Sequence, residues 1–254
     1  MTNTIDFPKT IRIGILVYEG FEPIDVWGFT EAFAISRFIG TDYVDPPAYP
    51  FKILFISNEV HPTGKEQATP APVKSQNGPR VAPDMFRDDA LNESFDVLMI
   101  PGGMTGPLVE PDSPAVEDLM AWVREMDEQV ALMTSVCTGA AVLASSGLLD
   151  GKPAATNHSA FGWVTKFGPK VLWDNVSRWV DAGDYVTSAG VSAGTDMAFY
   201  LVERLAGRAV AEAAAMQAEY DWHRDPEQPI FYPQQAAVPA KRDKPASERQ
   251  RREI

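Results

Sequence analysis

Short apolar runs alternate along the chain with stretches in which apolar positions recur at helical spacing. The runs are Ile11–Tyr18 (IRIGILVY), which is rich in β-branched residues, Phe51–Ser57 (FKILFIS), Phe95–Ile100 (FDVLMI) and Val130–Val136 (VALMTSV). Such runs are apolar on both faces, the pattern of strands covered from both sides. After the first of them, Ile24, Trp27, Ala32, Ile35 and Phe38 follow roughly helical spacing behind Glu22-Pro23, and proline suits a first helical turn. Val116, Leu119, Met120 and Val123 repeat the pattern within Ser113–Glu128, with Ser113 as a candidate cap. A further helix is predicted from Ala140 to Leu149, and two more over Val191–Leu205, ending at Gly207, and Arg208–Tyr220. Lys170–Ser188 reads as a hairpin turning at Asp181-Ala182-Gly183-Asp184, and Glu59–Pro83 as a long surface excursion with one short strand. Strands alternating with helices predict an α/β fold: a mainly parallel sheet flanked by helices on both faces.

Composition narrows the function. With 45% hydrophobic and 22% charged residues, the 254-residue chain has an ordinary globular balance, and nothing marks a second domain. The expected layout is a single domain over 11–231 and a charged tail over 232–254. A net charge of -13 repels nucleic-acid phosphates and anionic lipid, and favours small neutral or cationic substrates. No basic leader followed by an apolar run stands at the start, and no segment is apolar for long enough to span a bilayer. A cytoplasmic protein is expected, without nucleic-acid or membrane partners. One cysteine allows neither an internal disulfide nor a thiolate zinc cluster, and His61, His158 and His223 show no metal-ligand spacing. Neither metal nor organic cofactor is expected.

The candidate chemistry collects at strand ends, where parallel sheets bind ligands. Cys137 stands between a strand and a helix in Ser135-Val136-Cys137-Thr138-Gly139, a strand-turn-helix arrangement that exposes a nucleophile. A helix N-terminus there would favour the thiolate. Gly102 and Gly103 close another strand, and their backbone N–H groups, with that of Thr138, could receive a developing anion. Asp25 and Glu31 fall on different faces of the first helix, so only one of them can face Cys137. A carboxyl buried beside a thiolate would keep its proton and serve as a general acid. His158 follows a short strand, Pro153–Asn157, and could reach the same cleft. Each residue also has a plain structural reading: a buried small hydrophobe for Cys137, a helix-start carboxylate for Asp25, a core histidine for His158.

Taken together, Phe21-Glu22-Pro23-Ile24-Asp25-Val26-Trp27-Gly28, Ile100-Pro101-Gly102-Gly103, the Cys137 segment, Ala155-Thr156-Asn157-His158 and Thr187-Ser188-Ala189-Gly190-Val191-Ser192-Ala193-Gly194-Thr195-Asp196 resemble the ThiJ/PfpI superfamily, in its order. The resemblance runs from Ile11 to about Phe231. It implies a flavodoxin-like, class I glutamine amidotransferase-like fold and a homodimer. Within the superfamily the chain is most similar to the isonitrile hydratase branch, which implies Cys137 as nucleophile, Asp25 as acid and Thr138 as a supporting hydroxyl. The activity implied is hydro-lyase addition of water to a small-molecule isonitrile, giving an N-substituted formamide. Asn157-His158-Ser159-Ala160 departs from the threonine before and tryptophan after the histidine that are common among relatives. Two other functions fit the same residues: a glyoxalase-like or hydrolase-like cysteine enzyme with His158 as base, and a stand-alone thiol or ligand sensor.

Overall fold

The structure, a computed structural model, describes residues 9–38, 49–64 and 68–228. The expected tail and the domain end at Phe231 lie outside the described residues. Seven strands form the main sheet: β1 (Ile11–Val17), β2 (Phe51–Ser57), β5 (Met85–Phe86), β6 (Val97–Ile100), β7 (Leu132–Val136), β10 (Trp179–Asp181) and β11 (Tyr185–Ser188). Their order is β10-β11-β7-β6-β1-β2-β5. Every neighbouring pair is parallel except β10 with β11, the hairpin read from the sequence. Two small sheets stand apart, β3 (Val73–Lys74) with β4 (Arg80–Val81), and β8 (Pro153–Ala155) with β9 (Leu172–Asp174). The surface excursion therefore carries two short paired strands rather than one.

Val97–Ile100 of β6 and Leu132–Val136 of β7 are buried throughout, which explains the unbroken apolar run of β6; in β7 the burial extends to Thr134 and Ser135. Helices cover the sheet: α1 (Pro23–Ala34), α2 (Arg87–Ala90), α3 (Pro114–Asp127), α4 (Ala140–Ser145), α5 (Phe161–Val164), α6 (Ala193–Ala206) and α7 (Arg208–Gln217). Ser113 does sit at the N-cap of α3, but its side chain makes no capping bond. Helix α4 is shorter than expected and wholly buried from Ala140 to Ala144, so it has no polar face to reveal a period.

Helix α1 turns a different face inward from the one its apolar pattern indicates. Ile24 and Trp27 are exposed, while Asp25, Val26, Phe29, Ala32 and Phe33 are buried. Trp27 keeps one edge against Phe55 of β2, with ring centroids 5.6 Å apart. The buried face meets α6 closely at Gly28, where any side chain would collide with Thr195 Oγ1. That packing fixes the helix rotation and carries Asp25 beneath the strand ends. Glu31, on the other face, is exposed.

Candidate active site

Cys137 follows β7 directly and opens a single 3-10 turn, Cys137–Gly139, that leads into α4. Its φ of 59° lies in the left-handed region, which a non-glycine residue enters only when its surroundings hold it there. The hold comes from three sides. Thr156 Oγ1 donates to the Cys137 carbonyl at 2.9 Å. Gly139 packs so tightly on the Ile100 and Pro101 carbonyls that a Cβ there would overlap them. Gly194 gives similar clearance to Val136. The strain thus presents the thiol at the carboxyl edge of the sheet rather than within α4.

Asp25 is fully buried, its Oδ1 without a hydrogen-bond partner, and its carboxyl lies close enough to Cys137 for each to act on the other's ionisation. Gly102 N–H donates to Asp25 Oδ2 at 2.8 Å. Burial pushes Asp25 up to about 8, against the lowering effect of the Gly102 N–H; the charge of Glu22 adds to the rise. Cys137 is pushed up to about 12, first by burial and next by the Asp25 carboxylate; the Thr138 N–H and the Asn157 amide oppose the rise. Tyr18 also abuts the pair: burial first, then the charges of Asp25 and Cys137, raise its phenol, which donates to the Pro101 and Gly102 carbonyls. Both shifts favour the protonated forms, a carboxylic acid beside a thiol. The helix start, which favours a thiolate, is opposed here by desolvation and a neighbouring carboxyl, both of which raise the thiol.

The glycine donors also differ from expectation. Gly102 N–H is taken by Asp25, and Gly103 N–H donates to Thr138 Oγ1 at 3.1 Å. These two N–H groups build the acid and brace the loop rather than face the cleft as free donors for an anion. Thr138 Oγ1 also donates to the Gly103 carbonyl at 3.3 Å, so its hydroxyl locks the 102–103 turn to the nucleophile segment. Gly103 has φ of 120° and lies against Gly20 and Glu22 with no space for a side chain.

His158 lies near enough to Asp174 to act on that carboxyl. The residue before it meets the sulfur: Asn157 Nδ2 donates to Cys137 Sγ at 3.2 Å. Reading the motif by its histidine missed this contact, and the departure at Asn157 was the signal that could have found it. Among the described residues, no group of three or more His, Cys, Asp or Glu is placed to hold a metal ion. Nor is any helix of the described residues long and apolar enough to cross a membrane.

The mainly parallel sheet thus carries a strained cysteine at the end of β7 with a buried, upward-shifted carboxyl from the first helix beside it. The model of the DJ-1/PfpI family matches residues 11–204. The chain belongs to the DJ-1/PfpI family. Within that family, it is 34% identical over 150 residues to an isonitrile hydratase of Pseudomonas putida, 59% of this chain and 61% of that protein. It is also 29% identical over 136 residues to the glutathione-independent glyoxalase DJR-1.2 of Caenorhabditis elegans, 54% of this chain and 69% of that one. The match therefore spans less than two thirds of the hydratase. A ThiJ/PfpI family protein from Pseudomonas syringae superposes with a TM-score of 0.67 at 24% identity, covering 92% of this chain and 82% of that one. DJ-1beta of Drosophila melanogaster does so with a TM-score of 0.65 at 18% identity, covering 84% and 99%. These two establish the shared fold. The family holds enzymes of different chemistry, along with regulators such as the HTH-type transcriptional regulator CdhR of Pseudomonas aeruginosa, 27% identical over 146 residues.

Proposed function

We propose that the chain hydrates an isonitrile, R–N≡C, to an N-substituted formamide, with Cys137 as nucleophile, Asp25 as acid and Thr138 as the hydroxyl that braces them. The observation that carries this reading is the buried Asp25–Cys137 pair: a carboxyl with an unpartnered Oδ1 and a thiol that meet at Gly102, each raising or lowering the other's ionisation. The terminal carbon of an isonitrile accepts a nucleophile and a proton at the same atom. A site for it needs an acid and a nucleophile converging on one point, and that is what the pair offers.

The chemistry balances on these two groups. Sγ bonds to the terminal carbon while Asp25 delivers its proton to that carbon, and the thiol proton returns to Asp25, leaving the thioimidate R–N=CH–S. Water then adds to the same carbon, and its proton goes to nitrogen. The C–S bond breaks, the sulfur leaves and is reprotonated, and R–NH–CHO departs. Because the acid is held at about 8, it stays protonated at neutral pH yet remains a competent donor. The acidic surface and the nearby Glu22 favour a neutral substrate over an anionic one. Similarity to the Pseudomonas putida isonitrile hydratase supports the same reading.

The test is to follow N-cyclohexylformamide formation from cyclohexyl isocyanide by NMR with wild type, Cys137→Ala and Asp25→Asn. Turnover by wild type that disappears in both variants is expected. A wild type that leaves a panel of isonitriles untouched while converting methylglyoxal would overturn the substrate class in favour of glyoxalase chemistry.

A further inference from the structure

We propose that Asn157 is a catalytic residue: its side-chain amide donates to Cys137 Sγ and stabilises the sulfur whenever it carries negative charge. An amide side chain has one accepting and one donating end, and the hydrogen-bond network decides which faces where. Ala160 N–H donates to Asn157 Oδ1 at 2.9 Å, so the oxygen is committed to the backbone. The nitrogen is thereby turned toward Sγ, at 3.2 Å. A sulfur facing the amide oxygen would leave the Ala160 N–H opposite another N–H.

Two neighbours are shaped around this contact. Gly190 faces the pair, and a Cβ there would overlap Asn157 Nδ2 and lie 2.9 Å from Sγ. Thr156, one residue earlier, donates to the Cys137 carbonyl at 2.9 Å. Adjacent side chains thus hold opposite ends of the same cysteine, one fixing its strained backbone and the other addressing its sulfur. Residues 156–157 follow β8, which pairs only with β9 in a separate two-stranded sheet. The Ala155 N–H donates to Thr187 Oγ1 at 2.8 Å, which ties that small sheet to β11 beside β7. The donor is therefore held by backbone that is tied both to the cysteine carbonyl and to β11.

A hydrogen bond to a charged acceptor is stronger than one to a neutral acceptor, so this donor favours the thiolate over the thiol. The sulfur is negative in two events of the proposed cycle, when it attacks and when it leaves. The effect on turnover rests on the hydratase reading, whereas the effect on thiol ionisation does not.

Cys137 is the only cysteine of the chain, so iodoacetamide alkylation reads this one sulfur without ambiguity. Wild type, Asn157→Leu and Asn157→Asp are alkylated from acid to alkaline pH, and each is assayed for cyclohexyl isocyanide turnover. Asn157→Asp keeps the acceptor for the Ala160 N–H and loses the donor, so it serves if the leucine variant does not fold. The expected result is alkylation about tenfold slower at neutral pH, with the profile displaced to higher pH, the scale of one hydrogen bond to a charged group. The displacement is larger for Asn157→Asp, which adds a charge beside the sulfur. In the turnover assay kcat falls by a similar factor with little change in KM. Alkylation profiles of the folded variants that superimpose on wild type overturn the inference. If wild type leaves isonitriles untouched while the profiles shift as stated, the hydratase reading falls and the role of Asn157 stands.

Discussion

Gly102 and Asp25 are built against one another: the Gly102 N–H donates to Asp25 Oδ2 at 2.8 Å, and a Cβ on Gly102 would lie 2.8 Å from that same oxygen. The same Cβ would sit 2.7 Å from the Thr138 nitrogen and 2.8 Å from Cys137 Cβ. Real Cβ atoms do not approach backbone and side chain so closely, so the three segments of the site meet only because residue 102 has no side chain.

Gly102→Ala should therefore abolish turnover while costing about 1–3 kcal/mol of stability, the range for overpacking a tight site. The measurement is a denaturant titration beside the isonitrile assay. A variant that retains wild-type kcat would show that the acid does not depend on this close approach.

Much of this arrangement was legible in the sequence, and the parts that were not share a cause. Cys137 could be placed at a strand end because Val130–Val136 is a mainly apolar run followed by small residues, and β7 indeed ends at Val136. Helix α1 was recognised, but its apolar stripe pointed to Ile24 and Trp27, which are exposed. Its inward face includes Asp25, a residue that a hydrophobic pattern discards, and its rotation is set by Gly28 against Thr195 on a distant helix. The glycine N–H groups were foreseen as free donors because spacing locates a backbone group but not the direction of its bond. Asn157 reaches the sulfur through a small sheet whose position depends on the Thr187 side chain, a long-range contact that no local pattern encodes.

Asp25 makes the stability of the protein fall with rising pH. Its folded value of about 8 lies above the ordinary 3.8, so between the two the native state binds a proton that the unfolded chain has released. The contribution is fully present below about pH 4, declines by about 1.4 kcal/mol per pH unit above it and levels off past about pH 8. Asp25→Asn has no charge to bury, so its advantage over wild type should widen across that window, while it remains inactive. Thermal melts of both proteins from acid to alkaline pH test this. Parallel curves would mean that Asp25 ionises freely in the folded state.

Glu22 raises both partners of the pair by its charge, and its backbone N–H is held at 2.8 Å by the Gly102 carbonyl. Glu22→Gln keeps the shape and the backbone bond but removes the charge. Both ionisations should move to lower pH, so alkylation of Cys137 at neutral pH should rise by about two- to threefold, less in high salt. The alkaline limb of isonitrile turnover should move down with it. Unchanged alkylation at low ionic strength would show that the Glu22 charge is fully screened by water.

Asp196 tests the fold independently of the chemistry. It is fully buried, accepts from Arg178 Nε at 2.9 Å in an ion pair, and also accepts from Tyr220 OH at 2.9 Å and the His223 N–H at 3.1 Å. The Trp222 indole donates to its carbonyl at 3.1 Å. One carboxylate thus joins α6, the segment before β10 and the stretch beyond α7. Asp196→Ala leaves the buried Arg178 guanidinium without its counter-charge, which costs about 3–5 kcal/mol. It also releases residues 220–223 from two of their anchors, so hydrogen exchange there should accelerate along with a red shift of Trp222 fluorescence. A double variant, Arg178→Met with Asp196→Leu, should recover most of the stability but not the Tyr220 and His223 bonds. If Asp196→Ala instead melts like wild type, the ion pair contributes nothing to the fold and the aromatic packing of Phe199 on Tyr220 and Trp222 holds this end alone.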